Sequence, residues 1–208
     1  PGEPYNADEV TATTKAFTEQ FGNYGYAFAT VNADTEVDSG NHRVAFVIKS
    51  TPGRRAYVRR INIEGNTKTR DEVIRREFRQ FESSWYDGEK IRLSRDRVDR
   101  LGFFTEVGVT TAEVPDAPDQ VDLVVTVKEK PTGSVQIGAG YSSAEKLSFT
   151  FGLSQDNAFG SGKQLDLQLN TGKYNRTAVV STTDPYFTPD GVSRTVEAYY
   201  RSAKPYQD

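Results

Sequence analysis

The chain of 208 residues has no cysteine, no methionine and a single histidine. Without thiols there can be no disulfide scaffold, no thiolate nucleophile and no cysteine-based metal or redox site. The lone imidazole, His42, excludes a histidine-rich metal centre, and any Ser-His-Asp triad would have to pass through it. It stands in Ser39-Gly40-Asn41-His42, a run with turn chemistry, and reads as an exposed turn residue. Long hydrophobic runs are also missing: mean hydropathy is −0.64, and no stretch approaches the roughly 18–20 apolar residues of a membrane-spanning helix. That excludes a helical membrane protein. It leaves a β-barrel open, because barrel strands alternate lipid-facing and lumen-facing residues and average out as hydrophilic. No signal-peptide pattern is present. The missing initiator methionine leads us to expect that Pro1 is not a natural start.

Charge divides the chain. Residues 1–53 carry 3 basic and 7 acidic side chains, residues 54–100 carry 14 and 9, and residues 132–208 carry 7 of each. The first 131 residues alternate helix and strand. Asn6 followed by Glu9 resembles a capping box, and Val10, Phe17 and Phe21 share one face of a helix ending near Gly22. Strands over 27–34 and 43–50 flank the turn former Asp38-Ser39-Gly40-Asn41, and another runs over 57–64 to Gly65-Asn66. Thr69 and Glu72 suggest a second capping box, with Ile74, Phe78 and Phe81 as the apolar stripe of the helix behind it. Asp87 starts a third helix that turns Ile91, Val98 and Leu101 inward and stops at Gly102. Strands over 105–113 and 120–128 follow.

An internal repeat organises these pieces. At an offset of 77, Tyr24-Gly25-Tyr26 lies over Leu101-Gly102-Phe103, and Val44, Phe46 and Ile48 lie over Val121, Leu123 and Val125. Such a repeat indicates an array of small α+β modules. The second copy is complete as strand, helix, helix, strand, strand. The first lacks its opening strand and first helix.

Residues 132–208 follow a different rule, period two. Val135, Ile137, Ala139 and Tyr141 oppose Ser134, Gln136, Gly138 and Gly140. Leu147, Phe149, Phe151 and Leu153 oppose Ser148, Thr150, Gly152 and Ser154, and Leu165, Leu167 and Leu169 oppose Asp166, Gln168 and Asn170. Segments over 177–183 and 192–201 are weaker. A soluble sandwich with one dry face fits this alternation. A barrel wall fits it too, with the polar residues facing a wet lumen and Phe159, Tyr186 and Phe187 at turns, where an interfacial aromatic girdle belongs.

The order of several motifs carries a resemblance over essentially the whole chain. Tyr57-Val58-Arg59-Arg60-Ile61 with Glu64-Gly65-Asn66, Arg75-Arg76-Glu77, Leu101-Gly102-Phe103-Phe104 and Asp119-Gln120-Val121-Asp122 resemble the last POTRA module of the BamA family of outer-membrane assembly factors. Gly138-Ala139-Gly140-Tyr141, Gln155-Asp156-Asn157, Phe159-Gly160-Ser161-Gly162, Asp184-Pro185-Tyr186-Phe187 and Asp190-Gly191 look like that family's opening barrel strands. The resemblance implies α+β POTRA modules (β-α-α-β-β) followed by the first antiparallel strands of a transmembrane β-barrel. Residues 1–53 would be a partial, fourth-like module, 54–131 a complete, fifth-like one, and 132–208 about five barrel strands.

The implied function is nonenzymatic, with no cofactor: the modules receive unfolded outer-membrane protein clients in the periplasm, and the barrel helps them insert into the bacterial outer membrane. Open sheet edges suit that task, because an extended client can add as a strand without sequence specificity. The resemblance also makes 134–141 one side of a lateral seam, with Val135, Ile137, Gly138, Gly140 and Tyr141 as its residues, and Gly138 and Gly140 read equally well as barrel curvature. It makes Arg75, Arg79 and Glu82 docking residues for the lipoprotein BamD of the BAM complex. On spacing alone these three form a solvent-facing row at i, i+4 and i+7, as a solvated charged face would. Membrane lipid is an expected partner. The basic segment leaves RNA or anionic lipid head groups as alternative ligands, and nucleic acid is not expected, because the segment has no RRM-like aromatic motif or GXXG loop and the whole chain is negative. Two other readings stay open at this point, a two-partner secretion pore of the same superfamily and a soluble α+β binding module.

Overall fold

A computed structural model describes residues 4–143 and 146–204. Helix α1 (Ala7–Asn23) opens on the cap the sequence predicts: Asn6 Oδ1 accepts the Asp8 N–H at 3.0 Å, and Asn6 Nδ2 donates to Glu9 Oε1 at 3.1 Å. Its half-buried positions are Val10, Thr14, Thr18, Phe21 and Asn23. Phe17, expected on that face, is 48% exposed. Strands β1 (Thr30–Asp38) and β2 (Arg43–Thr51) form an antiparallel hairpin. Asp38 accepts the N–H groups of Gly40 and Asn41 and so closes the turn, and His42 stands in it at φ 51.

Strand β3 (Tyr57–Glu64) is followed by α2 (Asp71–Arg75), α3 (Gly88–Arg100), β4 (Phe104–Glu113) and β5 (Gln120–Glu129). The order in the sheet is β3-β5-β4, with β3 and β5 parallel. β5 is the central strand, and its alternation explains why: Val121, Leu123, Val125 and Val127 are all buried. The helix expected to reach Phe81 ends at Arg75. Ile74 and Phe78 are buried as expected, but Phe81 is 64% exposed. The predicted Thr69 cap does not form either, since α2 has no side-chain cap bond. The Thr69 N–H is instead taken by the Glu129 carboxylate, as described below. α3 does start on Asp87, whose Oδ1 accepts the N–H groups of Glu89 and Lys90, and the chain turns away from it at Gly102, φ 73.

The remaining strands are β6 (Gly133–Ser142), β7 (Lys146–Ala158), β8 (Lys163–Thr171), β9 (Asn175–Asp184) and β10 (Arg194–Ala203). They form one antiparallel meander, ordered β10-β9-β8-β7-β6. All five segments anticipated from the sequence are strands. The two weaker ones are longer or shifted by a few residues, and Val192 lies outside β10.

The chain divides into two compact units. One comprises Pro1–Glu64, Glu77–Arg100 and Val107–Val127, and the other Gly65–Arg76, Leu101–Glu106 and Lys128–Asp208. In the first, the core holds Val58, Ile61, Phe78, Ile91, Val98 and the apolar face of β5. There α1 meets α3 through an ion pair between Arg92 and Glu19 at 3.1 Å, and the Ala56 N–H donates to the Gly25 carbonyl at 2.9 Å. In the second unit, Val73, Ile74, Phe103, Phe104 and Ala158 are buried.

Candidate client and membrane surfaces

Register settles which residues of the five-stranded sheet share a face. One row runs Val135, Leu153, Leu167, Val180, Ala198, and the next runs Ile137, Phe151, Leu169, Ala178, Tyr200. The opposite face carries Ser134, Ser154, Asp166, Ser181, Glu197, then Gln136, Gly152, Gln168, Val179, Tyr199, and then Gly138, Thr150, Asn170, Thr177, Arg201. The period-two reading is thus borne out across β6–β8 as well as along them, rows of apolar side chains backing onto polar ones, while Val179 of β9 and Tyr199 of β10 place apolar side chains on the otherwise polar face. On the polar face the Ser154 hydroxyl donates to Asp166 at 2.6 Å. A wall with one dry and one wet face is what a membrane barrel requires.

β6 pairs with β7 alone and is an edge of this sheet. Of the residues expected at a seam, Val135, Ile137 and Tyr141 lie on the apolar face, all well exposed, while Gly138 and Gly140 lie on the polar face opposite Thr150 and Ser148. A Cβ at Gly138 would find ordinary contact with Thr150, so space does not demand glycine there.

In the first unit, the two edges of the three-stranded sheet are unlike. The segment behind Phe81 covers the outer edge of β3: the Ser83 N–H donates to the Val58 carbonyl at 2.7 Å, the Val58 N–H to Ser84 at 2.9 Å, and the Tyr86 N–H to Ala56 at 2.9 Å. Glu82 extends this cover, its Oε1 accepting the Ile61 N–H at 2.8 Å. Trp85 stacks on Tyr57 with ring centroids 3.8 Å apart, and the Arg55 guanidinium sits 4.3 Å above the indole. β4 is the other edge.

The expected helical row of Arg75, Arg79 and Glu82 is not a row on one helix. Arg75 closes α2 and bonds Asp71 at 2.9 Å within the second unit. Arg79 and Glu82 follow the helix end and belong to the first unit, where the Arg79 N–H donates to Ser94 Oγ at 2.8 Å. Nearby, the buried Glu77 carboxylate meets Arg97 at 2.7 Å. No sequence periodicity could reveal Glu82 as the partner of a strand N–H, because its geometry depends on where α2 stops.

The second unit contains a cluster that the sequence reading did not anticipate. The Glu129 carboxylate takes the Thr69 N–H at 2.6 Å, the Lys68 N–H at 3.0 Å and the Thr67 hydroxyl at 2.7 Å. Burial pushes the Glu129 carboxyl up, but the donors of Thr69, Thr67 and Lys68 together outweigh it and hold its pKa below the ordinary value. Asn157 donates to Thr69 Oγ1 at 2.8 Å and accepts the Gly162 N–H at 2.7 Å, while the Arg70 N–H donates to the Gly160 carbonyl at 2.9 Å. Gly160 and Gly162 both have φ 70, and a Cβ at Gly160 would overlap the Lys68 carbonyl. At the next turn on the same rim, Arg76 lies 4.3 Å above the Tyr186 ring and Arg194 lies 4.0 Å above Phe187. Among the described residues no group of acidic or histidine side chains could hold a metal ion, and no helix is long and apolar enough to cross a membrane.

Comparison with known proteins agrees with this architecture. The POTRA family model, described as "Surface antigen variable number repeat", matches residues 1–53 and 56–130, and the Omp85 superfamily domain matches residues 157–208. The outer membrane protein assembly factor BamA of Neisseria meningitidis serogroup B is 39% identical over 99% of this chain, which spans 26% of that protein. The BamA of Buchnera aphidicola is 29% identical over 98% of the chain, which spans 33% of it. Among solved structures, BamA from Haemophilus ducreyi lacking POTRA domains 1–3 superposes with a TM-score of 0.82 at 34% identity, covering 98% of this chain and 38% of that one. The POTRA3–5 structure of Haemophilus influenzae BamA gives 0.60 at 34% identity, covering 62% of this chain and 50% of that one. The chain therefore belongs to the BamA family of the Omp85 superfamily, in which POTRA modules precede a β-barrel.

Proposed function

We propose that this chain takes part in assembling β-barrel proteins into the bacterial outer membrane, with residues 1–53 and 54–131 as periplasmic modules and 132–208 as the opening barrel strands. The observation that carries the reading is the two-faced meander: five strands whose register separates a largely apolar face from a largely polar one, following the module sheet in the chain. The work is templating rather than bond chemistry. An unfolded client adds as a strand by backbone hydrogen bonds, and in the complete module β4 is the edge that receives it, because Glu82 and the 83–86 segment already occupy β3. β6 is one side of a lateral seam, where Val135, Ile137 and Tyr141 face lipid and Gly138 and Gly140 keep the lumen side free of bulk. Arg75, Arg79 and Glu82 contribute to docking the lipoprotein BamD, and Glu82 does so while bonded through one oxygen to β3.

The test is a photo-crosslinking amino acid placed in β6 at position 136 of the full-length protein, with a stalled client supplied. Crosslinks to client from 136, and none from 168 in the interior of the sheet, are the expected outcome. Equal yields from the two positions would defeat the seam assignment.

A further inference from the structure

The second compact unit contains a cavity of about 500 Å³, lined among others by Lys68, Phe103, Lys130, Gln155, Asn157 and Phe159. Gly133 and Gln155, which both line it, are register partners, and alternation puts them on the face of Val135 and Leu153. The cavity therefore lies at the end of the apolar face, just beyond its hydrophobic rows, with Phe103, Pro131 and Phe159 as its apolar lining. Its uncharged polar groups and its one carboxylate are satisfied from within: Gln155 Nε2 donates to Thr132 Oγ1 at 2.7 Å, Asn157 is held by Thr69 and Gly162, and Glu129 is turned to the 67–69 donors. The two ammonium groups differ. Neither Lys68 nor Lys130 has an ion pair among the described residues. Beside them Phe159 has φ 55 and a side chain 90% exposed, a costly placement for an aromatic ring in water.

A site at the end of an apolar face that joins two cations without ion pairs and a projecting phenyl ring matches an amphiphile with an anionic head. We propose that the cavity holds the headgroup of an anionic glycerophospholipid from the leaflet facing the modules, its phosphate between Lys68 and Lys130 and Phe159 among its acyl chains. An inorganic anion would account for the lysines but not for the ring or for continuity with the apolar face. The inference rests on the reading that β6–β10 cross the membrane.

The experiment uses the full-length protein reconstituted in bilayer nanodiscs containing phosphatidylcholine and phosphatidylglycerol, extracted into mild detergent, with retained lipid counted by native mass spectrometry. Wild type should retain phosphatidylglycerol in preference to phosphatidylcholine. The pair K68Q/K130Q should lower that retention roughly 10- to 30-fold, F159S should lower it less, and K173Q at the opposite rim should leave it unchanged. Integration is followed separately by heat-dependent gel mobility. Unchanged retention in K68Q/K130Q with normal integration overturns the headgroup site alone, as does equal retention of the two lipids or displacement of the lipid by millimolar inorganic phosphate. Failure of the wild type to integrate overturns the membrane reading and the site with it.

Discussion

Leu167 and Gln168 are adjacent residues on opposite faces of β8, and they give a sharp test of which face meets lipid. Leu167 is the fifth of nine residues in the strand, about 13 Å of strand from either end at roughly 3.3 Å per residue. That is close to the middle of an apolar band about 25 Å tall. Its register neighbours are Leu153 and Val180, so an Arg here has no polar group in its row to approach. An arginine at this depth on a lipid face costs about 2–4 kcal/mol, or roughly 30- to 700-fold in the folding equilibrium. At Gln168 the same side chain enters the polar face, where its register neighbours are Gly152 and Val179 and the adjacent rows hold Asp166 and Asn170 within reach, and the cost should be within about 0.5 kcal/mol. The assay is urea-titrated folding of the full-length protein into lipid vesicles, read by heat-dependent gel mobility. Leu167→Arg should lower the folding midpoint strongly and Gln168→Arg should not. Equal penalties, or the larger one at Gln168, would mean that the faces have been assigned the wrong way round.

Gly160→Ala should destabilise the contact between the β7–β8 turn and the 67–70 loop, since φ 70 costs a Cβ-bearing residue about 1–2 kcal/mol before the overlap with Lys68 is relieved; faster hydrogen exchange at the Arg70 amide would report it, and unchanged exchange would refute it. Glu82→Gln keeps an oxygen for the Ile61 N–H but removes the charge, whereas Glu82→Ala removes both. BamD affinity should fall in both variants, and exchange at the Ile61 amide should rise only in the alanine variant. Glu129 has a folded pKa below its ordinary value of 4.5, so its stabilisation of the 67–69 loop is present above that value and is lost as pH falls through the lowered one. Protection of the Thr69 amide should therefore drop on acidification below about pH 4.5 in wild type, and Glu129→Gln should show little further change over that interval.

Much of this could be read from residues alone. The faces of β6–β8 follow from strict alternation, and the caps of α1 and α3 follow from Asn6 and Asp87, because these signals are local. What escaped depends on partners far away in sequence. Thr69 looks like a helix cap, yet its N–H goes to a carboxylate 60 residues on and its hydroxyl to Asn157, 88 residues on. α2 also stops at Arg75, so the stripe ending at Phe81 is broken and the charged triad ceases to be one helical row. Phe17 fails for a related reason: it fits the period of α1, but Thr14 and Thr18 take the half-buried positions.

β5 ends at Glu129 and β6 begins at Gly133, so only three residues link the module sheet to the first strand of the meander. Four extended residue steps reach about 14 Å at most, and the Lys130 N–H is fastened to the Phe103 carbonyl at 3.0 Å. Such a short tether leaves almost no slack. Immediately after this link β6 pairs with β7 over ten register positions, and antiparallel ladder bonds lie across the strand, so tension along β6 would load them together rather than one at a time.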